Sequence, residues 1–325
     1  MRVGSLSANV KGLGKKMVHM VRKQVYLRTA HSQMAGQVAR FAYQAFDPAT
    51  DLFQEIMLQT HNLCNYACTF CPNRDVSRPR HQMSVPLFNR IISNLSRLQY
   101  EGSVLLSMQN EPLMDRRLFS FIEIAGAMLP RAKLVLHTNT SLLTTAKLER
   151  LTAAGVRCIL NIYREEDRGN FSIGDLPPRL RRHVVIYDKT SWSATTAYLL
   201  NWAGNASKMP VPQRPLAAFC PRPFTMLCIT PRGKALLCCL DWRHEWIMGD
   251  LAEDTLEDVW AGERFQKFRL KLLNGDRSDA LCSKCNKDWS PMPWRLLCRR
   301  ASACLSRRTH APHVAGSRSR AGSRS

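Results

Sequence analysis

The chain has 325 residues, 45% of them hydrophobic, and 47 Lys and Arg against 25 Asp and Glu give a formal charge of +22. That apolar content excludes a wholly disordered chain, and no run approaches the roughly 18 consecutive apolar residues of a membrane-spanning helix. Residues 1–46 hold eight basic residues and no acid, and residues 289–325 hold eight Arg and no acid. The body between them carries only +6, so nucleic acid is not expected as a partner, nor is a membrane.

In chain order, residues 1–50 form a basic extension. An acid-poor, Arg- and Ser-containing leader fits an organelle transit peptide or a helical extension packed on the outside of the body. No apolar signal-peptide core precedes it, which favours the extension. From 52 the pattern alternates strand and helix: strand 52–60, helix 85–98, strand 103–108, helix 118–129, strand 133–138, helix 145–154 closed by Gly155, then strands 156–162 and 183–187. Strict alternation of this kind predicts parallel strands with crossover helices, an α/β class, over a domain 51–205. Pro and small polar residues at 205–215 mark a linker. Beyond it, 225–230 and 234–238 flank Pro231-Arg232-Gly233 as a hairpin, and 255–273 reads as one helix with Thr255 as its N-cap. A small second domain is therefore expected over 206–295, followed by a basic, solvated tail at 296–325.

The chain has twelve cysteines. A secreted disulfide scaffold is normally short and spreads its cysteines along loops, whereas seven of these fall into tight or regular groups. Thiolate–metal chemistry in a reducing compartment, the cytoplasm, is the expected use. His61-Asn62-Leu63-Cys64-Asn65-Tyr66-Ala67-Cys68-Thr69-Phe70-Cys71-Pro72 places C-x3-C-x2-C in one loop directly after the first strand. Three thiolates on a short loop can hold three irons of a 4Fe-4S cube and leave the fourth without a protein ligand. An open metal position suits catalysis, while a structural site is usually closed. The plain alternatives are a zinc site lacking one ligand and buried apolar cysteines.

These residues, with aromatic Phe70 just before the last cysteine, resemble the radical S-adenosylmethionine (radical SAM) superfamily. The resemblance implies a partial (β/α)6 barrel spanning roughly 52–200 and a cube whose open iron is chelated by S-adenosylmethionine (SAM). Reductive cleavage of SAM then yields a 5′-deoxyadenosyl radical that removes hydrogen from an unactivated carbon. Met108-Gln109-Asn110-Glu111-Pro112 follows the second strand where the family usually shows Gly-Gly-Glu-Pro, so Asn110 and Glu111 are candidate cofactor contacts, with Gln109 and Asn110 departing from glycine. His137-Thr138-Asn139-Thr140 resembles the family's Thr-Asn-Gly, with Thr140 replacing glycine. Asn139 and Asn161, at the ends of consecutive strands, are candidates to bind ribose hydroxyls or are simple turn formers.

Cys220, Gly233 and Cys238 make C-x12-G-x4-C, and Cys282 and Cys285 make a later C-x2-C. Four cysteines allow zinc or an iron–sulfur cube, and spacing alone does not choose. With Met248-Gly249-Asp250-Leu251 and Thr255–Trp260, the set resembles the SPASM/twitch extension of radical SAM enzymes. That likeness implies one auxiliary 4Fe-4S cluster held by Cys220, Cys238, Cys282 and Cys285. Cys158 is expected in the core. Cys239 and Cys298 are candidate hydrogen donors. The order of these elements is similar to sugar and aminocyclitol dehydrogenases and epimerases of the superfamily. The expected substrate is a small polar, carbohydrate-like molecule attacked at a carbinol carbon, giving a ketone or an epimer, with flavodoxin or ferredoxin as electron donor. The alternatives are a peptide- or RNA-modifying radical SAM enzyme and a non-catalytic metal-cluster protein.

Overall fold

Five parallel strands, Glu55–Leu58 (β1), Ser103–Leu105 (β2), Lys133–Thr138 (β3), Arg157–Ile162 (β4) and Val184–Asp188 (β5), pair in chain order. On the other side of β1 the sheet continues with Met226–Ile229 (β6), Lys234–Leu236 (β7) and Ile247–Asp250 (β8), in the order β5-β4-β3-β2-β1-β6-β7-β8. This computed structural model describes residues 48, 51–170, 176–190, 201–207, 209–217 and 219–287. They lie in one unit, Asp47–Ser290. The expected N-terminal extension, apart from Pro48, and the basic tail with Cys298 lie outside the described residues.

Each crossover helix buries an apolar stripe, and two of the three also carry a side-chain N-cap. In Val85–Arg97 (α1), the Ser84 hydroxyl accepts from Leu87 N at 3.2 Å, Pro86 sits in the first turn, and Phe88, Ile91, Ile92 and Leu95 are buried. In Leu118–Met128 (α2), Leu118, Phe121, Ile122 and Ala125 are buried, and Phe121 stacks on Phe88 with ring centroids 4.1 Å apart. Thr144 caps Thr145–Ala153 (α3) in the same way. Every residue of β4 after Arg157 is buried, as expected for a strand covered on both faces. Cys158 on that strand is fully buried and packs as core.

Two features differ from the sequence expectation. β6 pairs parallel with β1, with Glu55 opposite Met226, so the hairpin β6–β7 extends the same sheet. Gly233 makes its turn at φ 79°. The expected helix over 255–273 is two helices, Leu256–Ala261 (α4) and Glu263–Leu273 (α5), broken at Gly262 by an extended ψ of 151°. Thr255 and Asp258 form a reciprocal capping box at the start of α4. Arg269 of α5 is buried, donates to Pro223 O at 2.8 Å and Trp260 O at 2.6 Å, and stacks on Trp260. Among the described residues no helix is long and apolar enough to cross a membrane.

Candidate active site

A cavity of about 260 Å³ opens at the carboxyl ends of β1 to β5, where ligand sites gather in parallel α/β folds. Cys64, Cys68 and Cys71 of the loop after β1 all line it, together with Phe70, Asn110, Glu111, Asn139 and Asn161. The sequence candidates therefore converge on one wall. Main-chain bonds fold the loop tightly: Cys71 N donates to Cys68 O at 3.0 Å and Arg74 N to Cys71 O at 3.2 Å. Tyr66 N lies 3.5 Å from Cys64 Sγ and Asn139 Nδ2 3.9 Å from it. Tyr66 OH donates to Asp167 and Trp202 Nε1 donates to Phe70 O at 2.9 Å, which pins the loop from two sides.

Burial pushes the Cys64 thiol up, the Cys68 thiol to about 11 and the Cys71 thiol to about 12. Glu111 Oε1 accepts from Thr138 Oγ1 at 2.7 Å and Leu113 N at 3.1 Å, and Oε2 accepts from Asn139 N at 2.7 Å. Burial nevertheless raises its carboxyl, so a cation arriving beside it would offset that cost. Asn110 Oδ1 accepts from Met108 N, and its buried Nδ2 has no partner.

Gln109 explains one departure from the glycine pattern. Its Nε2 donates to Cys239 O at 2.9 Å and Asp241 O at 3.1 Å, and its Oε1 accepts from Arg78 Nη1 at 2.5 Å and meets His244 Nε2 at 3.0 Å. A glycine has no side chain with which to tie the segment after β2 to the segment after β7.

A second, small pocket contains Cys220, Cys238, Cys282 and Cys285 together, walled by Leu237, Leu240, Leu272 and Leu281. Arg277 lines it as well, donating to Phe219 O and Lys287 O at 3.0 Å each. Consecutive residues divide the two spaces, with Trp202 facing the first and Ala203 the second. Cys239 lines neither. Its thiol packs with Met226, Cys228 and Leu236 and lies 3.2 Å from Arg222 Nη1. Hydrogen bonds from the Cys228 and Cys238 thiols, then the Arg222 charge, hold it well below the usual thiol range. Met57 and Met108, which do line the first cavity, pack against this cluster. A direct encounter of Cys239 with a substrate in the first cavity therefore finds no support in the geometry.

A cube takes one thiolate per iron; three cysteines line the first cavity and four line the second.

The radical SAM superfamily model matches residues 58–163, which includes this loop and the wall it forms. The chain carries a radical SAM domain. A SPASM model, an iron-sulfur cluster-binding domain, matches 220–286 of the enzyme and spans the four pocket cysteines. The enzyme is 27% identical over 239 residues to the S-adenosyl-L-methionine-dependent 2-deoxy-scyllo-inosamine dehydrogenase of Niallia circulans, covering 72% of this chain and 93% of that protein. It is also similar to a crystal structure of BtrN in complex with AdoMet and 2-DOIA, at TM-score 0.65 and 27% identity over 73% of this chain and 94% of that one. An open conformation of BtrN, at 24% identity and TM-score 0.57 over the same shares, has the same fold. The two matched domains imply 4Fe-4S clusters and SAM as cofactors.

Sequence reasoning missed His137, Tyr163, Lys189, Trp202 and Trp242, which line the same cavity. His137 stands in a quoted motif but was given no role, and no motif marks the other four. They come from five segments that only the fold brings together.

Proposed function

We propose that the enzyme dehydrogenates a carbinol carbon of a small polar, sugar-like or aminocyclitol substrate, and that 51–205 and 206–295 divide the work. In this reading Cys64, Cys68 and Cys71 hold the cube that meets SAM. Glu111, Asn110, Asn139, Asn161 and Phe70 hold the cofactor, and Cys220, Cys238, Cys282 and Cys285 hold one auxiliary cube. With these groups bound, the chemistry they supply is one-electron cleavage of the sulfonium, hydrogen-atom removal from carbon, and acceptance of one electron at the auxiliary site. The carbinol loses a hydrogen atom, then a proton and an electron, which balances to a ketone.

The observation that carries the reading is the division between the two cavities. Trp202 and Trp242 wall the first, while Ala203, Cys238 and Leu240 wall the second. A substrate seated in the first cavity is thus a few side chains from the auxiliary ligands. Epimerisation needs a hydrogen donor in the cavity, and Cys239 lines neither space; Cys298, the other candidate donor, lies outside the described residues. We further infer a reducing, cytoplasmic setting and a flavodoxin- or ferredoxin-type electron donor, because free thiols persist in a reducing compartment and a cube needs an outside source of electrons.

Anaerobic reconstitution tests this. About eight irons per chain and a ketone product are expected. Cys282→Ser should lower iron to about four, keep SAM cleavage and lose the ketone. Retention of the ketone by this variant, or solvent deuterium incorporated at the attacked carbon in its place, defeats the dehydrogenase reading.

A further inference from the structure

Arg78 lies seven residues beyond Cys71 in the chain and folds back on the cysteine loop. Its Nη2 donates to Asn73 Oδ1 at 3.4 Å, and Asn73 belongs to the short 3-10 turn Pro72–Arg74 that Cys71 caps. The same Nη2 donates to Gln109 O at 3.4 Å, and Nη1 donates to Gln109 Oε1 at 2.5 Å. Cys71, Asn73 and Gln109 all line the first cavity, and Arg78 stands behind the wall they form. Gln109 is itself held by Cys239 O and Asp241 O, so the guanidinium has a fixed place.

The hydrogen-bonding partners are neutral. His244 Nε2 lies 3.2 Å from Nη1, and burial, then the Arg78 charge, pushes that imidazole down to about 4. Trp242 offers a ring face, with the guanidinium carbon 5.0 Å from its centroid. Among the described residues no carboxylate forms an ion pair with Arg78. The acid facing it is Asp241, whose Oδ1 and Oδ2 accept from Glu245 N at 3.2 Å and Trp246 N at 2.8 Å. Burial pushes the guanidinium down to about 10, so it stays charged at neutral pH. A half-buried cation held by neutral acceptors is unfavourable until an anion settles beside it. Cys71 is on the side where that anion would form: burial raises its thiol, and the Arg78 charge opposes the rise.

Resting on the reading of Cys64, Cys68 and Cys71 as cube ligands, we propose that Arg78 is the countercharge of the first cube and raises its reduction potential. Three thiolates leave such a cube with net negative charge, and reduction by the flavodoxin- or ferredoxin-type donor adds one electron with no bond made or broken. A fixed cation beside the cube favours the more negative, reduced form, because net charge is one of the terms that set a cluster potential. Arg78 acts through the cube and does not line the cavity, which makes it a positioning residue for the electron.

The test uses the full chain, reconstituted anaerobically, with midpoint potentials read by redox titration and electron paramagnetic resonance. The cube whose signal changes on adding SAM is the first, and the other is the internal reference. Arg78→Met removes the charge and keeps a stem of similar length. It should lower the midpoint of the SAM-responsive cube by about 60 mV, a tenfold shift of a one-electron equilibrium. Arg78→Lys keeps the charge and should lose less than half of that, and the auxiliary cube should move less than the first in both variants. Arg78→Gln is the second neutral variant should Met fail to load iron. Loss of iron from both neutral variants but not from Lys is the same result in stronger form, because assembly then needs the charge. An unchanged midpoint in a loaded neutral variant, equal shifts in Lys and Met, equal shifts of both cubes, or loss of iron from all three variants overturns the inference. A wild-type protein with no SAM-responsive cube sinks the reading of Cys64, Cys68 and Cys71 itself, whereas a responsive cube whose potential ignores the charge sinks only the role of Arg78.

Discussion

Thr140 occupies the left-handed region with φ 70°, is fully buried and leaves its Oγ1 without a partner. A β-branched residue is strained there, and glycine is not. The residue that departs from Thr-Asn-Gly thus stands at a backbone position glycine would occupy without strain. Thr140→Gly should raise stability by about 1 kcal/mol, because relief of strain and of an unpaired hydroxyl outweighs the added chain entropy. Equilibrium denaturation checks this, and a loss of stability contradicts it.

At the scale of elements, β8 and the break in the last helix were not legible as such, although β8 contains residues the motif reading had singled out. Gly249 lies in β8 where a Cβ would stand 2.6 Å from Val259 Cγ2. Contact of α4 with the strand, and not a turn, requires the glycine. Gly249→Ala should cost about 2 kcal/mol through overpacking, read as a lower denaturation midpoint at unchanged slope. The helix break has a local cause that periodicity conceals: apolar spacing runs through 256–273, yet Gly262 takes an extended ψ and Glu263 restarts the helix. Alternation from β1 to β5 was legible because each strand and helix announces itself within a dozen residues. Pairing of β6 with β1 was not, since Glu55 and its partner Met226 lie about 170 positions apart in the chain.

For the whole molecule, Cys220, Cys238, Cys282 and Cys285 come from three separate segments and meet in one pocket. Metal binding to such a set is coupled to folding, since the unfolded chain has no preformed site. Reconstitution should therefore raise the melting temperature by more than about 5 °C, with most of the gain lost in Cys282→Ser. Equal melting temperatures with and without iron contradict this role.

The sequence by itself determined the α/β class, the two groups of cysteines and the pairing of Glu111 with the Asn139 segment, because strand alternation and residue spacing are properties of short stretches of chain. Tertiary structure alone decided that the hairpin joins the sheet at β1, that Cys239 lines neither cavity, and that Trp242 and Lys189 line the first. Those outcomes depend on which distant segments share a wall, and that depends on packing between elements, to which no local pattern is sensitive.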